Sequence, residues 1–199
     1  MSRRVWLYAG LFVVAAVGAL GAAQELTRAD ASRMEQKLSA IMARGSVPPR
    51  LAKPLRTAFT EQEVNAYFKF NAQTFPTGVV NPRLKIDEGG RLVAFATVDL
   101  TAIRKSKDRS FFDPINWVGG SVDLHVAGTV HAQGGMGRLS IASASLGGIP
   151  IPRYILQEVI AFYTKSPELP NGFDIDKPFP LPVGIREVQT QRGAAVVVQ

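Results

Sequence analysis

From residue 79 onward the apolar side chains of this chain recur at every second position, a period that fits a strand with one covered face and not a helix. In residues 121–133, Val122, Leu124, Val126, Val130 and Ala132 fall on one side, and Asp123, His125, Thr129 and His131 on the other. Residues 91–103 repeat the pattern, with Leu92, Ala94, Ala96, Val98, Leu100 and Ala102 sharing a face. Three turn sequences punctuate these runs: Glu88-Gly89-Gly90, the glycine-rich stretch 133–137, and Arg192-Gly193. They join 84–86 to 91–103, 121–133 to 138–146, and 185–190 to 194–199. Hairpin connections make antiparallel neighbours, so about six strands in one antiparallel sheet are expected.

Before residue 79 the period is helical. Residues 25–43 place Met34, Leu38, Ile41 and Met42 on a narrow stripe, and Gly45-Ser46-Val47-Pro48-Pro49 stops the helix. This reads as a stalk, followed by a linker through Pro54. Thr60 with Glu63 three residues on forms a capping box, and Phe59 with Val64 a hydrophobic staple, so a short helix opens at residue 61. A further helix, 153–165, carries Tyr154, Ile155, Leu156, Val159, Ile160, Phe162 and Tyr163 and is apolar over far more than one stripe. Gripping by a curved sheet would account for that, with the proline-rich stretch 167–182 as an extended strap. The expected class is α+β: a curved antiparallel sheet packed on or wrapped around an apolar helix, after an N-terminal membrane helix and stalk. The division is 1–23 membrane segment, 24–58 stalk and linker, and 59–199 domain.

Residues 5–23 contain no charge and follow Ser2-Arg3-Arg4. At ~1.5 Å per residue such a helix just spans a hydrocarbon core. Two readings stand. A retained signal anchor uses the arginines to hold its start on the cytoplasmic side, with Trp6 and Tyr8 at the interface; a cleaved signal uses Gly21-Ala22-Ala23 as its cut site. The anchor reading places the chain in a bacterial inner membrane as a single-pass protein with its domain in the periplasm. The signal reading leaves it free there. Of the net charge of +7, +5 remains once Arg3 and Arg4 are set aside. It gathers at Arg44, Arg50, Lys53 and Arg56, and again at Arg104, Lys105, Lys107 and Arg109. Anionic lipid headgroups suit an exported basic surface better than nucleic acid, for which no aromatic-interleaved motif is present. Phe111, Phe112 and Trp117 follow the second cluster and extend it as a membrane-surface candidate.

Chemistry is sparse. The chain has no cysteine, which removes disulfides, thiolate metal sites and lipoprotein acylation. His125 and His131 lie six residues apart on one strand, about 20 Å at ~3.3 Å per residue, and cannot share an ion. Asp99, Asp123 and His125 form a carboxylate–imidazole group only if their strands pair. No nucleophile elbow, dinucleotide fingerprint or phosphate loop occurs. The reading is therefore non-enzymatic, with no catalytic residue, metal or cofactor.

The stretch Phe59-Thr60-Glu61-Gln62-Glu63-Val64-Asn65-Ala66-Tyr67-Phe68, the hairpins, the apolar helix after Ile149-Pro150-Ile151-Pro152 and the closing Leu181-Pro182-Val183-Gly184-Ile185 together resemble small bacterial envelope proteins. Over residues 59–199 the pattern also resembles the bactericidal permeability-increasing and tubular lipid-binding superfamily. That resemblance implies a curved sheet around a long helix, a lipid ligand and no catalytic residue. Small inward positions such as Ala94, Ala96 and Ala144 leave two readings open, close packing or an acyl-chain channel. The expected ligand-facing residues are Leu92, Val98, Leu124, Val126, Ile155, Val159 and Phe162. The alternative function is a structural or assembly module that docks another envelope protein.

Overall fold

Two capping boxes open the first two helices. In the computed structural model, which describes residues 25–46, 54–105, 120–167 and 169–199, Thr27 caps α1 (Arg28–Gly45) and Thr60 caps α2 (Glu61–Phe70). Each threonine hydroxyl accepts from the backbone N–H three residues on, and the carboxylate there accepts from the threonine N–H. These contacts satisfy amides that a helix start otherwise leaves orphaned. The apolar stripe read from α1 divides: Met34 and Ile41 are buried and Leu38 partly so, while Met42 is 60% exposed.

The helix expected as a stalk lies inside the folding unit. Met34 and Ile41 of α1 join Phe59, Val64 of α2 and Ile86 in one core cluster, with Leu84, Leu92, Ala195 and Val197 packed around it. Burying such side chains contributes about 1.5–3 kcal/mol each. Gln199 fastens the far end of α1, its amide donating to the carbonyls of Ile41 (2.9 Å) and Val183 (2.7 Å).

The chain is α+β with a large antiparallel sheet. Nine strands are found among the described residues, two of them only two residues long. β1 (Arg56–Thr60) pairs with β9 (Ala194–Val198), which pairs with β8 (Glu187–Gln191). β2 (Val79–Ile86) pairs with β3 (Arg91–Asp99), and β3 with β4 (Ser121–Gln133). Past the end of β3, Ala132 of β4 pairs with Val188 of β8, and this joins the two groups of strands. β5 (Met136–Leu146) covers the other flank of β4, and β6 (Ile149–Pro150) and β7 (Phe179–Pro180) pair with opposite ends of β5.

The β8–β9 hairpin locks onto the β2–β3 turn. Gly90 donates to the Thr190 hydroxyl (2.6 Å), Gly193 donates to the Ile86 carbonyl (2.9 Å), and Glu61 donates to the Gly193 carbonyl (2.7 Å). Gly90 has φ +78°, and a Cβ there would strike the Val130 carbonyl, so this junction requires glycine.

Two expectations change. The strand predicted over 91–103 ends at Asp99, and residues Leu100–Lys105 form a short helix, α3. The Asp99 carboxylate accepts from Thr101 and Ala102 N–H, both at 2.9 Å, and caps it. Leu100 and Ile103, three apart, then bury against Val98. β1 arises in the expected linker, because its partner is a strand more than 130 residues away. The expected membrane segment 1–23 lies outside the described residues, as do Arg50, Lys53, Lys107, Arg109, Phe111, Phe112 and Trp117. No helix among the described residues is long and apolar enough to cross a membrane.

Candidate functional site

α4 (Arg153–Thr164) leaves β6 and the chain returns to β7, so residues 151–178 form an excursion between the two ends of β5. One side of α4 is held by the loop that follows it. Gln157 donates to the Phe173 carbonyl (3.0 Å) and accepts from Ile175 N–H (2.8 Å), while the Thr164 hydroxyl accepts from Phe173 N–H (2.6 Å). Arg153 pairs with Asp176, which raises the guanidinium pKa above its usual value, first through the hydrogen bond and then through the charge. Ile175 is fully buried beneath. Gly172, at φ +73°, lies so close to the Ala161 carbonyl that a side chain cannot enter.

The opposite side is different. Helical spacing sets Ile155, Val159 and Phe162 away from the 157/161/164 side that meets the loop. Leu156 is the only buried residue of α4, whereas Tyr154 is 67% and Ile155 39% exposed. Of the nine exposed large hydrophobics among the described residues, four (Tyr154, Ile155, Tyr163 and Leu169) lie on this excursion and a fifth, Ile149, just before it.

The expected ligand-facing residues separate into four places. Leu92 packs against the α1/α2 core. Val98 and Leu124 join the second cluster, with Leu100, Ile103, Val122 and Leu146. Val126 stands between them, half-buried, opposite Ala94 and Ala144 in a row of small residues. Ile155, Val159 and Phe162 belong to neither cluster. Arg104 and Lys105, from the expected membrane-surface set, close α3.

The candidate carboxylate–imidazole group does not assemble. Asp99 is spent capping α3, His125 meets the Phe95 ring edge-on at 4.8 Å, and Asp123 faces the Thr97 hydroxyl at 3.4 Å. No cluster of three metal-ligating side chains exists among the described residues.

Sequence reasoning missed the use made of the Glu61–Tyr67 stretch. Asn65 bonds both backbone groups of Leu84, accepting from its N–H (2.7 Å) and donating to its carbonyl (2.8 Å), and Glu61 accepts from Ile86 N–H (2.8 Å). Two α2 side chains four residues apart thus stand in for a neighbouring strand along the outer edge of β2. The available signal was that i, i+4 pair on a helix leading directly into an edge strand.

A seam of charge joins α1 to α2. Lys37 donates to both Glu63 oxygens at 2.7 Å, Arg33 pairs with Asp30 and Glu63, and Gln62 donates to Asp30 (3.0 Å). Burial works against the Glu63 charge, but Lys37 and the Thr60 N–H outweigh it and hold the carboxyl below its usual 4.5. Asp30 is likewise held low, mainly by the Thr27 hydroxyl. Beside this seam, between residues 25–26, α2 and β2, lies an open groove of about 740 Å³.

No family model, curated protein or solved structure matches this chain.

Proposed function

We propose that this chain is a membrane-tethered envelope protein, non-enzymatic, that binds a lipid or another hydrophobic ligand at α4. The observation that carries the reading is the exposed apolar surface of α4: a helix this apolar has Leu156 as its one buried residue and leaves Tyr154, Ile155 and Tyr163 at the surface. Exposed apolar area concentrated on one element marks a contact surface, because leaving it in water forgoes about 25 cal/mol per Å².

Since Leu92, Val98 and Leu124 already pack against protein, the ligand-facing set on α4 narrows to Ile155, Val159 and Phe162. The likeness to the tubular lipid-binding superfamily and the uncharged run 5–23 support the same reading: a lipid ligand and a bilayer that holds the chain. The test is photocrosslinking from position 154 of the full chain in intact bacteria, with mass spectrometry of the products. Lipid adducts that disappear on Ile155→Glu support the proposal. A single protein adduct without lipid overturns it in favour of a module that docks another envelope protein.

A further inference from the structure

The open groove between α2 and β2 has a volume of about 740 Å³, and its lining is unlike that of a protein core. Lys69 projects from α2, and Arg83 and Lys85 from alternate positions of β2; Leu26 and Phe95 supply apolar wall. Two carboxylates also line it, and neither neutralises these cations by contact. Glu61 is committed to Ile86 N–H, and no ion pair joins Glu25 to Lys69, Arg83 or Lys85 among the described residues. Arg28 adds a fourth cation next door: its guanidinium lies 4.9 Å from the Phe70 ring, and the Lys69 ammonium 5.3 Å from the same ring. Cations held over aromatic faces are partly desolvated yet not discharged.

The place of the groove in the chain gives it meaning. Glu25 and Leu26, which line it, follow the uncharged run 5–23 with only Gln24 between. If that run lies in a bilayer, residues 25–26 just after it, and the groove they line, stand at the headgroup layer. Arg44, in the last turn of the 18-residue α1, sits about 24 Å further along the helix axis at ~1.5 Å per residue. The basic residues near the start of α1 and those near its end are therefore not equivalent toward the same membrane.

We infer that the α2/β2 groove seats the phosphate of an anionic lipid headgroup, with Arg83, Lys85 and Lys69 as its cationic contacts, so that the domain is held against the bilayer and not only tied to it. This rests on the membrane-tethered reading, and it is independent of the ligand proposed for α4. A basic residue at an anionic surface strengthens association by roughly fivefold, so loss of two contacts is readable.

The experiment uses the full chain in nanodiscs of phosphatidylcholine alone or mixed with phosphatidylglycerol, followed by hydrogen exchange of residues 61–70 and 79–86. Exchange several-fold slower in the anionic discs is expected, and loss of that slowing in Arg83→Gln/Lys85→Gln but not in Arg44→Gln. Equal exchange in both discs, or equal slowing in the double variant, overturns the inference. Equal slowing produced by inorganic phosphate added to the neutral discs also overturns it, in favour of a free-anion site. Failure of the chain to co-elute with either disc breaks the tether itself, a result separate from the exchange readout. Thermal melting of the double variant in neutral discs, expected to match the parent, excludes unfolding as the cause.

Discussion

The α1/α2 end of the molecule and the α4 excursion are built on opposite terms. At the first, apolar side chains from two helices and four strands interdigitate, and the two buried carboxylates are matched: Asp30 accepts from Gln62, Glu63 accepts from Lys37, and Asn65 closes a strand edge. At the second, a more apolar helix is fixed by a handful of polar contacts to its own loop and turns tyrosine and isoleucine to the surface. Hydrophobic content therefore does not locate the core of this protein. Helix α1 has the more polar sequence, yet its apolar stripe of Ala31, Met34 and Ile41 is buried, and Asp30 beside it finds partners.

The contrast can be broken most forcefully in the core. Phe59→Ala, at a residue 5% exposed between α1 and the sheet, is expected to cost about 3–5 kcal/mol, measured as a fall in the urea midpoint of the solubilised full chain. A cost under about 1 kcal/mol would mean that α1 is loosely attached. Next in size, Lys37→Met removes the cation that donates to both Glu63 oxygens, leaving only Arg33 at 3.4 Å, and is expected to cost about 1.5–3 kcal/mol near neutrality. The same pair sets the acid response. Because the folded-state pKa of Glu63 is lowered from 4.5, its contribution is complete above that value and is lost as pH falls below it. The parent should weaken steadily on acidification through this window, and Lys37→Met should weaken less steeply there. An unchanged slope would show that Lys37 does not hold the carboxyl down.

Asn65→Ala comes third, at about 1–2 kcal/mol, since it orphans both backbone groups of Leu84. It should also promote self-association through the freed β2 edge, seen as a shift in sedimentation. The smallest effect belongs to the other region. Tyr154→Ser, at a side chain 67% exposed, should change stability by less than about 0.5 kcal/mol while abolishing lipid crosslinking from the neighbouring face. A large loss of stability there would make α4 a core helix after all.

Local signals were legible where one interaction decides. The Thr60–Glu63 spacing marks the start of α2, and the alternation over 121–133 marks β4 to the residue. Legibility fails where two periods overlap or the partner is remote. Leu100 and Ala102 extend the strand pattern, but Leu100 and Ile103 also fit a helical turn, and the Asp99 cap decides for the helix. The stretch 56–60 is too short to announce a strand, and only β9 makes it one. For the candidate site, the composition of α4 was visible, whereas the direction of its apolar face was set by Gln157 and Thr164 meeting a loop with no regular pattern. Lys69, Arg83 and Lys85 do not cluster in sequence at all, and only the packing of α2 on β2 gathers them.

The pairing of β1 with β9 has a consequence for how the chain is made. Arg56 meets Val198, and Phe59 meets Ala195, so the sheet beside α1 cannot close until nearly all of the domain has been synthesised. Until then α1 and α2 have only each other and β2–β3 to lean on, and contacts of such long sequence separation form late and slowly. A chain emerging from the ribosome therefore stays unlocked through most of its synthesis.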